Sequence, residues 1–121
     1  EGGSAALSAL RPLADATELR TWQAAVRSLT VREALLDYVL SLVRETRTHP
    51  GVRLGLSPRG GLALLAAARA HAFLAGREFA LPEDVQAVFV AATAHRLVLR
   101  GGEREAAKET AARILAAVPV P

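Results

Sequence analysis

The chain contains no cysteine, which excludes disulfides, zinc–thiolate centres and thiol nucleophiles and fits a cytoplasmic setting. Aromatic residues make up only 4% of the 121 residues, and β-branched residues are scattered rather than alternating. With alanine abundant and 51% of residues hydrophobic, the composition predicts an all-α domain whose helices pack closely through small side chains. No Gly-rich loop leads into a Lys-Ser or Lys-Thr pair, so the sequence has no phosphate-cradling loop of its own. No basic segment followed by an apolar run opens the chain, and no apolar stretch is long enough for a bilayer. Neither a signal peptide nor membrane insertion is expected. Lysine is nearly missing too, Lys108 being the only one. The formal charge of +3 rests on arginines spread along the chain, most with a carboxylate nearby. That spread predicts solvated helix faces rather than the basic stripe of a nucleic-acid binder.

What is present reads as about five helices in one small bundle, with short extended segments near 52–54 and 77–80. Residues 1–16 show no sustained period and read as a partly ordered lead-in or linker. From Thr17, residues Leu19, Trp22, Ala25, Val26 and Leu29 share one helical face, with Trp22 a core or inter-domain anchor. Thr30-Val31-Arg32-Glu33 matches a capping box, so the threonine is expected to cap a second helix bearing Leu35, Tyr38, Val39, Leu42 and Val43. His49-Pro50-Gly51 ends it. Ser57-Pro58 begins a third helix over 58–75, apolar nearly all round and therefore central. Gly76 supplies its C-terminal stop, and Pro82-Glu83-Asp84 opens a fourth helix burying Val85, Val88, Phe89 and Ala92. His95-Arg96-Leu97 closes that helix, Gly101-Gly102 marks a turn, and a last helix over 103–117 buries Ala107, Ala111, Ile114 and Leu115.

Little in this pattern is catalytic. His49, His71 and His95 fall on three elements without metal-ligand spacing, so no metal site is expected, and Glu83-Asp84 reads as helix-start stabilisation. Arg59 breaks a local rule: a cation in the first turn of a helix is unfavourable by roughly 0.3–1 kcal/mol. The same helix end, with free amides and the Ser57 hydroxyl, suits an anion that Arg59 would grip as a planar fork. The other reading has Arg59 in solvent or paired with Glu45 or another carboxylate.

The run Val52-Arg53-Leu54-Gly55-Leu56-Ser57-Pro58-Arg59-Gly60-Gly61 resembles the sensor 2 segment of MoxR-type AAA+ ATPases. The likeness extends to Tyr38-Val39, Thr46-Arg47, Ala68-Arg69-Ala70, Gly76-Arg77-Glu78-Phe79, Pro82-Glu83-Asp84-Val85, His95-Arg96-Leu97 and Val118-Pro119-Val120-Pro121, covering residues 17–121. Leu56 and Leu81 are its small departures; Leu81 removes an N-cap side chain. The resemblance implies that 17–121 is the C-terminal helical lid of such an ATPase, closing over ATP held by an upstream nucleotide-binding domain that this sequence does not include. It implies Arg59 as the sensor 2 arginine on the γ-phosphate, with Ser57 and Pro58 positioning it. Gly60 and Gly61 would allow close approach of nucleotide or of a neighbouring helix. Arg69, His95 and Arg96 would meet the nucleotide-binding domain, a neighbouring subunit or a carboxylate of this domain. ATP and Mg2+ would be cofactors of the complete ATPase, with none held tightly by this chain alone. Partners implied are neighbouring subunits of a hexameric ring and von Willebrand A domain proteins, served by chaperone-like remodelling. The competing expectations are a free-standing helical DNA-binding module and a protein-interaction bundle.

Overall fold

A computed structural model describes residues 2–101 and 104–121. Its elements run α1 (Gly2–Ala9), α2 (Ala16–Ser28), α3 (Glu33–Thr48), β1 (Val52–Leu54), α4 (Pro58–Leu74), α5 (Pro82–Thr93), a 3-10 turn (Ala94–Arg96), β2 (Val98–Leu99) and α6 (Arg104–Ala117). The expected all-helical bundle is present, with one helix more than the pattern suggested because α1 lies within the lead-in. α1 buries no residue. None of the described helices is long and apolar enough to cross a membrane.

The core forms where α3, α4, α5 and α6 face one another. Leu42, Leu64, Phe89 and Ile114 are fully buried, one from each helix, and Ala68, Ala72 and Ala111 let the helices approach closely. α4 packs most extensively against α5 and also touches α2 and α3, which gives it the central place its composition predicts. Leu62 and Leu74 are nevertheless exposed. α2 is more peripheral than its apolar stripe implied. It starts on an Asp15 cap whose side chain accepts from the Glu18 amide. Leu29, just past its end, is buried, but Leu19 is half exposed and Trp22 is 42% exposed, so Trp22 is not a core residue.

The capping box at Thr30 does not form. α3 begins two residues later, after Arg32, which makes no side-chain cap bond. Thr30 is drawn instead into an isolated parallel bridge with Phe79: its amide donates to the Glu78 carbonyl and its carbonyl accepts from the Ala80 amide. The Arg32 guanidinium lies 5.9 Å from the Phe79 ring centroid, adding a cation–π contact across the same seam. This bridge is what becomes of the extended segment expected near 77–80. The other extended segment is β1, which pairs antiparallel with β2 through Val52↔Leu99 and Leu54↔Val98, with an irregularity between. Of the turn expected at Gly101-Gly102, Gly101 has φ +68; Gly102 and the expected helix start at 103 lie outside the described residues.

α4 ends as expected at Gly76. Its φ of +78 is costly for any residue with a Cβ, and it lets the Arg77 amide bond to the Ala72 carbonyl and its own amide to Phe73. The chain then turns so that Arg77 meets Asp84. The Asp84 carboxylate is fully buried and accepts from Arg77 Nη1 at 2.5 Å, Arg77 Nη2 at 2.6 Å, His71 Nδ1 at 2.6 Å and the Leu81 amide at 2.7 Å. Asp84 thereby satisfies the amide of the N-cap residue Leu81, the reciprocal half of a capping box, and does much more: it ties the end of α4, the connecting loop and the start of α5 to one carboxylate. Burial alone would raise its pKa, but the bonds from Arg77, His71 and the Leu81 amide overcome that and hold it at about 2, against an ordinary 3.8.

Because the folded pKa is depressed, this contribution to stability is complete above the unfolded value of 3.8 and is lost as pH falls through about 2. Asp84→Ala is expected to cost about 3 kcal/mol at neutral pH, since it leaves Arg77 and the Leu81 amide without their partner. Urea unfolding followed by circular dichroism between pH 7 and pH 2 should show the gap from wild type narrowing below pH 4. A constant gap would mean that the charge of Asp84 is not what stabilises the joint.

Candidate functional site

The Ser57-Pro58-Arg59 turn is set by the end of α3. Gly55 lies so close to that helix that a Cβ on it would stand 2.6 Å from both the carbonyl carbon and oxygen of Thr46 and 2.8 Å from Arg47 Cα. Only glycine fits there, whatever its φ. The next residue is fastened as well: the Leu56 amide donates to Thr46 Oγ1 at 3.0 Å, and the Thr46 hydroxyl donates to the Val43 carbonyl at 2.6 Å. Thr46 is fully buried and Leu56 is 1% exposed. The unusual leucine therefore fills core, and the loop leaves this anchor directly into α4.

Ser57 caps α4 as its sequence predicts. Its Oγ accepts from the Gly60 amide at 3.1 Å and its carbonyl from the Gly61 amide at 3.0 Å, with Pro58 in the first turn. These bonds use up most of the helix end. Pro58 has no N–H and Gly60 is capped, so the Arg59 amide is the one first-turn donor left without a protein partner among the described residues. The helix end is thus poorer in free amides than the sequence suggested, and an anion would depend on the Arg59 side chain.

Arg59 itself is exposed. The ion pairs among the described residues are His71–Asp84 and Arg77–Asp84, so the alternative pairing of Arg59 with Glu45 is not made. No acidic residue stands in the first turn of α4. Beside it opens a cleft of about 400 Å3 lined by Arg47, Arg53, Leu54, Gly55, Leu56, Ser57 and Pro58. Arg47 and Arg53 make this end of the bundle more basic than Arg59 alone would, a juxtaposition that sequence spacing did not reveal.

The remaining candidates separate. A Cβ on Gly60 would face Leu56 Cδ2 at 3.1 Å and Arg96 Cδ at 3.6 Å, and one on Gly61 would face Val43 Cγ2 at 3.1 Å. Both glycines therefore serve packing within this domain. Arg69 is half buried with its Nε unpartnered among the described residues, while His95 and Arg96 are exposed on the 3-10 turn. His49 Nδ1 accepts from the Gly51 amide at 3.1 Å. Among the described residues, no group of three or more His, Cys, Asp or Glu is arranged to hold a metal.

The two glycines give a contrasting pair of substitutions. Gly55→Ala is expected to destabilise the chain by about 1–3 kcal/mol, because the new methyl meets helix backbone that cannot yield. Gly60→Ala should cost less, about 1 kcal/mol or under, since its nearest new contact is the Leu56 side chain at 3.1 Å rather than helix backbone, and it gains helix propensity. Chemical denaturation of both variants checks this; equal losses would show that the approach of Gly55 to Thr46 is not limiting.

A sequence model of the AAA lid domain family matches residues 44–118. The chain is 32% identical over 118 residues to the uncharacterized protein YeaC of Bacillus subtilis (strain 168), covering 95% of this chain and 37% of that protein. It is 40% identical over 78 residues to chaperone MoxR1 of Mycobacterium tuberculosis, covering 57% of this chain and 21% of the relative. With protein MoxR of Paracoccus denitrificans the identity is 54% over 48 residues, 40% of this chain and 14% of that one. A crystal structure from Cytophaga hutchinsonii, of a protein provisionally assigned as an ATPase, superposes with a TM-score of 0.72 at 28% identity. It covers 80% of this chain and 33% of that one. The chain thus spans about a third of the length of the relatives it follows most fully. With the helical bundle, the capped Ser57 turn and these likenesses together, the chain belongs to the AAA lid domain family and is a lid of the MoxR type.

Proposed function

We propose that this domain closes over ATP bound by the nucleotide-binding domain of a MoxR-like ATPase, and that Arg59 is the sensor 2 residue contacting the γ-phosphate. The observation that carries this reading is an exposed arginine in the first turn of α4, with no carboxylate paired to it among the described residues. Such a cation is unfavourable at a helix N-terminus until an anion arrives. The donor set present, one guanidinium and the single free amide of Arg59, suits a terminal phosphate. Ser57 and Pro58 fix where the helix begins and so where Arg59 stands.

MgATP would supply the bond to be broken and the bridging metal. This chain's own part is to neutralise charge on the terminal phosphate, exclude water on closing, and register the loss of that phosphate. A contact present with ATP and absent with ADP shifts the lid between closed and open positions, which is how hydrolysis becomes movement. The apolar groove between α3 and α4, lined by Leu36, Leu40, Leu62 and Leu65, is the surface that a nucleotide-binding domain covers on this reading. Assembly into a cytoplasmic hexameric ring, and action on partner proteins, including von Willebrand A domain proteins, belong to the same proposal. The chaperone designation of the Mycobacterium tuberculosis relative supports that last part. A DNA-recognition role for α4 is the weaker reading, because α2, α3 and α5 all pack against it.

In the complete ATPase, or with this chain grafted in place of the matching segment of the Bacillus subtilis relative, Arg59→Ala is expected to lower ATP turnover at least tenfold. That corresponds to about 1.4 kcal/mol or more of lost transition-state stabilisation. The thermal unfolding of the 121-residue chain should be unchanged or slightly raised by the same substitution, since Arg59 is exposed and removing a cation from the positive end of α4 relieves at most roughly 0.3–1 kcal/mol. Unchanged turnover and ATP affinity would overturn the sensor assignment.

A further inference from the structure

The β1–β2 ribbon brings a second arginine to the turn that carries Arg59. β1 leads into Ser57 and β2 begins just after Leu97, so their pairing sets the 3-10 turn beside the start of α4. The Arg100 amide, donating to the Gly51 carbonyl at 3.0 Å, extends the ribbon by one more bond. The Arg96 stem borders the first turn of α4, since its Cδ lies 3.6 Å from where a Cβ of Gly60 would be. Cδ is bonded to the guanidinium Nε, so the charge of Arg96 is delivered to the first turn of α4. Arg96 is exposed and makes no ion pair among the described residues, and the same holds for Arg59. Arg59 and the stem of Arg96 thus stand at the same positive end of a helix, and no carboxylate among the described residues lies within ion-pairing distance of either. Their mutual repulsion is relieved most by an anion carrying several charges, and less by one that has lost a phosphate.

We propose that Arg96 is a second nucleotide-contacting arginine, and that Arg59 and Arg96 together set the preference of the lid for a nucleoside triphosphate over a diphosphate. The proposal rests on the ATP-sensing reading of Arg59. The two arginines belong to different segments, one opening α4 and the other following α5, and the stem of Arg96 is steadied against the space left by Gly60. A triphosphate bound between them cross-links the two segments, whereas a diphosphate leaves one guanidinium without its partner.

The test uses the complete ATPase with Arg96→Ala, Arg96→Lys, Arg96→Leu and Arg59→Ala, measuring affinity for ADP and for a non-hydrolysable ATP analogue, with thermal unfolding as the control for folding. Arg96→Ala is expected to lower the ratio of triphosphate to diphosphate affinity about tenfold. Arg96→Lys should recover part of that ratio. Arg96→Leu, which keeps an apolar stem beside Gly60 without the charge, should resemble Arg96→Ala. Recovery by leucine would show that Arg96 acts by packing and would overturn the proposal. An unchanged ratio in Arg96→Ala beside a collapsed one in Arg59→Ala would overturn it while leaving Arg59 as the sensor. No effect in either variant would overturn both.

Discussion

The approach of Gly55 to the last turn of α3 is the constraint on which the basic end of the domain depends. It is a steric demand, with backbone against backbone, and it is reinforced by the Thr46 hydroxyl, which donates to Val43 and accepts from Leu56. Because both partners of that hydroxyl are main-chain groups, the joint fixes the path of the chain rather than the pose of one side chain. From it follow the direction of β1, the start of α4 at Ser57 and the orientation of the first helical turn. β2 and the Arg96 turn depend on the same joint through the ribbon.

The far end of α4 is fixed by a different kind of force. There a buried carboxylate gathers Arg77, His71 and the Leu81 amide, and its desolvation is offset only because all these donors converge. α4 is thus held at its N-terminus by close packing and a neutral hydrogen-bond relay, and at its C-terminus by charge. Between them runs a 17-residue helix, about 25 Å long, with its middle locked against α5 through Leu64, Ala68 and Phe89. A helix so fastened does not bend in response to a contact at its first turn. That turn is therefore set on a helix packed along its length against α5.

The parts of this arrangement that are local were legible in the sequence. Ser57-Pro58 and Gly76 act through their own backbone neighbours, and the apolar spacing of α3, α5 and α6 repeats often enough to be read. Thr30 shows the limit of such reading: its capping pattern is complete in sequence, yet two backbone bonds to the loop around Phe79 take the place of the side-chain bonds of the box. Trp22 lies on a well-formed apolar stripe, but a stripe does not say what covers it. Asp84 was legible as a helix-start residue and not as a hub, because Arg77 and His71 meet it only after the turn at Gly76. β2 is too short to show alternation, and the packing of Arg96 against Gly60 depends entirely on the ribbon. The resemblance pointed to Gly55 and Thr46 without giving a reason; the close approach and the shared hydroxyl supply one. The place of Arg59 in the first turn was thus readable, whereas the basic surroundings added by Arg47, Arg53 and Arg96 are a product of tertiary structure.

An exposed arginine is a poor binding site by itself, and this bears on what the proposed sensor can do. At 4 Å two unit charges attract by about 1 kcal/mol in bulk water and by about 4 kcal/mol at the effective dielectric of a partly covered protein surface. In the open lid the first value governs, and salt weakens it further. In a closed lid, with water displaced by a second domain, the larger value applies. The same guanidinium is therefore nearly indifferent to phosphate when the lid is open and strongly sensitive to it when closed. A residue that must hold nucleotide unaided would be better buried, with more than the one free amide that α4 offers. A residue that reports closure is better placed where Arg59 stands, on the rim of a rigid body whose own contacts ask nothing of it.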